Sequence, residues 1–187
     1  MTTVAVLVGS LRKASFNRRI AETVAELTKS LQFDFLDIGS VSYFNQDLEA
    51  NPPKDWTAFR ERVSAADAVL FATAEYNRSV PGVLKNAIDV ASRPYGKGAL
   101  LGKPAAIISA SIGAIGGFGA NHHLRQALCF LNMPTMAQPE AYVGYAAGLF
   151  DEAGQLKNSD TLAFLTRFVR AFEEHIALHT PSDSSAA

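Results

Sequence analysis

The sequence predicts a doubly wound α/β sandwich, a parallel sheet with helices on both faces, and three observations carry the prediction. Short apolar, largely β-branched runs alternate with longer segments whose apolar residues recur at helical spacing, and five strand–helix units are readable this way. The strand runs are apolar at consecutive positions, as in strands covered on both faces. The 187 residues, 48% hydrophobic and 19% charged, can bury about 70% of the unfolded surface, enough for one core. No Ser/Gly/Pro-rich or charged linker interrupts them, so one domain is expected over 1–179.

Thr3 to Val8 is the first strand and ends in Gly9-Ser10. From Ser15 a helix follows, with Phe16, Ile20, Val24, Leu27 and Leu31 forming one stripe of a 3.6-residue period. Phe33 to Ile38 reads as the second strand. Gly39 to Asp55 is irregular, rich in polar and turn-forming residues, and longer than an ordinary connection. Trp56, Phe59, Val63 and Ala66 restart a helical stripe, and Ala68 to Ala72 is the third strand. Val83, Leu84, Ala87, Ile88 and Ala91 form the buried face of the next helix, with Ser79 as its cap and Pro81 in its first turn. Pro104 to Ala110 is the fourth strand; Ala120, Leu124, Ala127, Leu128 and Leu131 mark a helix. Ala137 to Val143 is the last strand, interrupted by Pro139. Leu162, Leu165, Val169, Phe172 and Ile176 close the chain with a helix, and 180–187 reads as a disordered tail.

A net charge of −1 supplies no general attraction for nucleic acid or an anionic membrane, so neither is an expected partner. The apolar run Val4 to Val8 is too short for a signal-peptide core or a membrane span. The single cysteine, Cys129, lies among Leu128, Phe130 and Leu131 and is expected to be a buried, inert thiol. A reducing, cytoplasmic setting follows as the expectation.

In doubly wound folds ligands bind beyond the carboxyl ends of the strands, and three such ends carry ligand-type chemistry. The first, Gly9 to Asn17, runs a glycine turn into a helix N-terminus; backbone N–H groups, Ser10, Ser15, Asn17 and the Arg12 guanidinium could hold one phosphate. The bland alternative makes Ser15 an ordinary cap and Arg12 a solvated residue. The Gly-Lys-Ser/Thr ending of a triphosphate loop and the Gly-x-Gly-x-x-Gly of a dinucleotide site are both missing, so a monophosphate is the better match. The second end, Ala74 to Gly82, offers amides and Tyr76 to a flat, polar-edged ligand, or is a plain turn in which Asn77 and Gly82 supply permissive dihedrals. The third, Ser109 to Gly119, lets backbone approach a ligand closely, or is merely flexible.

At these residues the sequence resembles the NADPH-dependent FMN reductase family, the flavodoxin-like group of quinone, azo-dye and chromate reductases. Gly9-Ser10-Leu11-Arg12-Lys13-Ala14-Ser15-Phe16-Asn17 is similar to its phosphate loop. Glu75-Tyr76-Asn77-x-Ser79-x-Pro81-Gly82-x-Leu84-Lys85-Asn86-Ala87-Ile88-Asp89 is similar to its flavin-ring motif. Ser111-x-Gly113-x-x-Gly116-Gly117, His123-Leu124-Arg125-Gln126 and Gln138-Pro139-Glu140 extend the likeness, which runs from Val4 to about Val143. The resemblance implies a flavodoxin-like three-layer sandwich with a five-stranded parallel sheet. It implies that Ser10, Arg12, Ser15 and Asn17 hold the FMN phosphate. Glu75, Tyr76 and Asn77 then meet the isoalloxazine and Ser111 and Gly113 line its other side, with Phe16, Ala74 and Gly116 completing the cofactor-binding set. Two positions depart from the family pattern: Ala74 stands where proline is usual and Val90 where tryptophan is usual.

The implied activity is hydride transfer from NADPH or NADH to bound FMN and onward to a quinone or similar small acceptor: free flavin, an azo or nitro compound, or chromate. The chemistry lies on the flavin, so no catalytic side chain is expected. A flavodoxin-type carrier that does not itself oxidise NAD(P)H is the alternative; near-neutral charge counts against it, because docking to redox proteins uses charge complementarity. A phosphate-binding regulator would leave Tyr76, Asn77 and the glycines without a task. The resemblance also implies a homodimer or homotetramer, with Arg125 and Glu140 near the subunit boundary. His175 and His179 share a helix face with no third ligand nearby, so no metal site is expected. Adjacent His122 and His123 read as solvent-facing or as a subunit contact.

Overall fold

The computed structural model describes residues 1–180, so the tail expected over 180–187 lies, from residue 181 onward, outside the described residues. One sheet holds five parallel strands in the order β2-β1-β3-β4-β5. These are β1 (Thr2–Gly9), β2 (Leu31–Leu36), β3 (Ala68–Thr73), β4 (Ala105–Ala110) and β5 (Ala141–Val143). The α-helices between them are α1 (Phe16–Glu26), α2 (Lys54–Ala65), α3 (Gly82–Ala91) and α4 (Phe118–Phe130), and α5 (Ser159–His179) ends the described chain.

Successive side chains of a strand point to opposite faces, and β1 divides accordingly. Val4, Val6 and Val8 pack with Ile20, Val24, Phe168 and Phe172 in the core under α1 and α5. Ala5 and Leu7 pack with Trp56, Phe71, Leu84 and Leu124 in the core under α2, α3 and α4. Every residue of β3 and of β4 is buried, which explains why their sequences are apolar without alternation.

Four expectations change at the element ends. Leu31 opens β2 rather than closing the α1 stripe: α1 stops at Glu26, and the Leu27 N–H donates to Val24 O. The turn between them is anchored by Glu173 of α5, whose carboxylate accepts from the Thr28 and Ser30 hydroxyls. The last strand is limited to Ala141–Val143, because Pro139 has no N–H to continue the ladder. Ser79 does not cap α3; Pro81 occupies that position. Cys129 is exposed. It follows Leu128, which is buried, and one residue along a helix turns the side chain by about 100° away from the core stripe.

The segment from Gly39 to Asp55 is more ordered than its composition suggests. It contains 3₁₀ turns at Ile38–Ser40 and Gln46–Leu48. Buried Asn86 of α3 donates to Val41 O and Ser42 O and accepts from the Phe44 N–H, and Trp56 Nε1 donates to Ser42 O. A polar loop is thereby fixed to the sheet layer through two side chains that lie on neighbouring helices.

Candidate functional site

The strand register brings the three strand ends level. Gly9 lies opposite Thr73, Thr73 opposite Ser109, and Ser109 opposite Tyr142, so the loops after β1, β3 and β4 leave one edge side by side. In the order β2-β1-β3-β4-β5 the winding reverses between β1 and β3, the position at which such folds open a ligand crevice. A cleft of about 410 Å³ lies there, lined by Ser10, Leu11, Arg12, Tyr76, Pro81, Gly82 and Val83. The first and second strand ends therefore form one site. Ser111, Gly113 and Gly116 do not line that cleft.

In the first loop Ser15 caps α1, accepting from the Arg18 N–H at 3.3 Å. The backbone N–H groups from Leu11 to Asn17 have no partner among the described residues, so a row of donors stands at the positive end of the α1 dipole. Arg12 is exposed, its guanidinium 5.7 Å from the Phe16 ring centre. Asn17 has a different task. Only 5% exposed, it donates to Ala110 O at 3.1 Å and accepts from the Ala110 N–H at 2.9 Å. Its amide ties the start of α1 to the end of β4 and so places the loop.

The second loop is a tight hairpin. Tyr76 N–H donates to Ser79 O at 3.1 Å and Ser79 N–H to Tyr76 O at 3.0 Å. The two central residues are left-handed, Asn77 at φ 52° and Arg78 at φ 64°, the geometry of a type I′ turn. Their N–H groups have no partner among the described residues. Tyr76 is 48% exposed and lines the cleft. Ala74 N–H donates to Gly9 O, linking this loop to the first. The Glu75 carboxylate turns toward α4: Oε2 accepts from the Ala120 N–H at 3.1 Å and Oε1 from Arg78 Nη1 at 3.2 Å.

The third loop is clamped to β5. Ser111 N–H donates to Val143 O, its hydroxyl donates to Gly113 O, and Gly113 O also accepts from the N–H groups of Gly116 and Tyr145. Gly116 is buried at φ +64°, and a Cβ there would lie 2.6 Å from the Tyr142 carbonyl carbon. Its lack of a side chain serves the approach of loop to strand.

Beside this loop, His122 Nε2 and Tyr142 Oη are 2.9 Å apart, and Phe118 covers the imidazole with ring centres 4.1 Å apart. Burial first, and then the neighbouring Glu140 carboxylate, push the Tyr142 phenol up from 10.0 to about 12. The folded state thus keeps a proton that the unfolded chain loses. Stability from this group is complete below about pH 10 and is lost as the pH rises toward about 12. Titration of tyrosinate absorbance should show one of the five tyrosines ionising late, and Tyr142→Phe should remove that late step; a late step that survives the substitution contradicts the assignment.

The sequence pattern does not reveal the hairpin's free amides, because Asn-Arg is not one of the glycine-containing pairs that signal a two-residue turn. It also hides the contact between Ser79 Oγ and His123 Nδ1, 2.8 Å apart across 44 residues. His175 and His179 bond to Pro134 O and His175 O, and no cluster of three or more His, Cys, Asp or Glu side chains suited to a metal occurs among the described residues. No helix among them is long and apolar enough to cross a membrane.

The sequence matches the NADPH-dependent FMN reductase family over residues 2–148. The chain belongs to that family. A quinone reductase of Pseudomonas putida is 56% identical over 178 residues, 94% of this chain and 95% of the relative. A 2-hydroxy-1,4-benzoquinone reductase of Burkholderia sp is 44% identical, with coverage of 89% and 91%. The solved structure of the flavoenzyme NAD(P)H:(acceptor) oxidoreductase FerB from Paracoccus denitrificans superposes with a TM-score of 0.90 at 41% identity, covering 97% of this chain and all of that one. As a member of the FMN reductase family, this chain is an FMN-dependent NAD(P)H oxidoreductase with a flavodoxin-like fold. The site suits FMN, which joins a phosphate to a flat ring system with polar edges. Unpartnered amides and one arginine stand at a helix N-terminus, and the cleft beside them is walled by Tyr76, from which the hairpin with its two further unpartnered amides continues.

Proposed function

We propose that this protein is a NAD(P)H:quinone reductase that binds FMN between the ends of β1 and β3. The observation that carries the reading is the joining of the Arg12 loop and the Tyr76 hairpin into one cleft. When bound, FMN supplies two-electron chemistry, accepting hydride from NAD(P)H and delivering it to an acceptor that takes a further proton from solvent. The protein's own contribution is binding and orientation. Arg12, Ser10 and the loop amides hold the phosphate. Ser15 and Asn17 act through the helix they fix, and the Asn77 and Arg78 N–H groups meet the ring edge, where donors favour added negative charge. Tyr76 would pack on the ring from the cleft wall that it forms, and Ser111 and Gly113, which lie outside that cleft, would meet the ring only where it extends beyond the cleft.

Quinones are the proposed acceptors because two similar relatives are named for them; an open cleft also admits free flavin, azo, nitro and chromate acceptors. A cytoplasmic location and one domain over 1–179 complete the reading. Assembly as a homodimer or homotetramer is supported by the exposure of Leu11, Ile112, Ile115, Phe118 and Tyr145 on and beside the site loops, apolar area that a second copy would cover.

Anaerobic addition of NADPH to FMN-loaded protein tests the reading. Flavin absorbance should bleach without any partner protein and return when a quinone is added. Failure to take up FMN overturns the proposal, and bleaching that requires a separate reductase identifies a carrier instead.

A further inference from the structure

Two adjacent left-handed residues of which neither is glycine form an expensive turn. Asn tolerates that region, but an arginine there costs about 1 kcal/mol or more and persists only where its surroundings hold it. Arg78 sits at φ 64° next to Asn77 at φ 52°, so the hairpin needs restraint from outside, and α4 supplies it. The Glu75 carboxylate, whose side chain is only 13% exposed, bridges the Ala120 N–H in the first turn of α4 and the Arg78 guanidinium. Ser79 and His123 add a second tie one turn further along. Gly119 makes the close approach possible, since a Cβ there would lie 3.0 Å from Glu75 Oε2 and 3.1 Å from Arg78 O.

We infer that Glu75 is a positioning residue: its carboxylate latches the Tyr76–Ser79 hairpin to the N-terminus of α4 and so presents the Asn77 and Arg78 N–H groups to the flavin. The resemblance alone would put Glu75 on the ring itself; both its oxygens are instead engaged within the protein. The inference rests on the FMN reading above and deepens it. It also assigns a role to Gly119, which does not line the cleft.

The test compares wild type with Glu75→Ala, Glu75→Gln and Gly119→Ala in two measurements on the full chain. The first is the Kd for FMN, read by quenching of flavin fluorescence. The second is hydrogen exchange at the Tyr76 and Ser79 amides of the flavin-free protein. Glu75→Ala is expected to weaken FMN binding about tenfold, as for one lost charge-assisted contact, and to speed exchange at both amides. Glu75→Gln, which keeps an acceptor for Ala120 but loses the charge facing Arg78, should fall between. Gly119→Ala should also weaken FMN while leaving thermal stability equal or higher, because alanine is the better helix former. A purely structural defect does not separate affinity from stability in that way.

Unchanged affinity and exchange in Glu75→Ala overturn the inference. So does weakened affinity in Glu75→Ala with wild-type affinity in Gly119→Ala, which would place the carboxylate on the cofactor. Should wild type itself fail to quench FMN, the proposed function fails, while the exchange measurement still decides whether the latch exists.

Discussion

Replacing Gly116 with alanine is expected to destabilise the fold by about 3 kcal/mol, from two contributions of similar size. At φ +64° an L side chain adopts the left-handed region at a cost of about 1–2 kcal/mol. The added Cβ would also sit 2.6 Å from the Tyr142 carbonyl carbon and 2.7 Å from the Val143 nitrogen. Those are backbone atoms of β5, a strand of three residues that cannot rotate away as a side chain would. Relief therefore requires β5 to slide along β4 or the loop to lift from it, and either breaks the bond from Ser111 N–H to Val143 O. Denaturant unfolding measures the loss, and a midpoint shift equivalent to less than about 1 kcal/mol would show that the loop gives way freely. The same substitution at Gly113, where a Cβ meets only Ser111 Oγ at 3.9 Å, should be nearly neutral for stability.

The contrast between those glycines shows where sequence reading stopped. Four glycines after a strand suggest either close approach to a ligand or flexibility, yet Gly116 is fixed by β5, and Gly119 by Glu75, a residue 44 positions earlier. Such demands come from tertiary neighbours and leave no local periodicity. Elements whose burial is continuous or helical in period were legible to within a few residues: β1, β3, β4 and the cores of all five helices follow from apolar spacing. The ends were less legible because caps and ladder endings depend on single contacts, as with Glu173 beneath the turn before Leu31. The site was readable in kind through its loops, and Ser10, Arg12 and Tyr76 do share a cleft. Asn17 in the first turn of α1 and Glu75 in the loop after β3, both polar and in segments of ligand type, spend their hydrogen bonds on Ala110, Ala120 and Arg78. Residue type and position alone do not separate a ligand-binding polar group from one that braces the binding loop.

Arg12→Ala offers the converse case, a residue that should matter to the ligand and hardly at all to the fold. Arg12 is exposed, and its guanidinium has no hydrogen-bond partner among the described residues, resting only over the Phe16 ring. Its removal should therefore shift stability by no more than about 0.5 kcal/mol. For a phosphate at the α1 N-terminus the consequence differs: the loop amides remain, but the full positive charge and its fork of donors go. Hydrogen bonds to charged groups contribute about 1.5–3 kcal/mol, and solvent exposure favours the lower end, so FMN affinity should fall about 10- to 30-fold. Riboflavin, which shares the ring and lacks the phosphate, separates the two halves of the site. Its affinity should be the same in wild type and Arg12→Ala, so the ratio of FMN to riboflavin affinity carries the whole effect. Arg12→Lys should recover part of that ratio, because an ammonium restores the charge without the planar fork. The FMN affinity of wild type should also weaken with added salt more steeply than that of Arg12→Ala, since one exposed ion pair has been removed. Equal losses for FMN and riboflavin would move Arg12 from the phosphate to the ring, and an unchanged FMN affinity would leave the phosphate to the helix N-terminus alone.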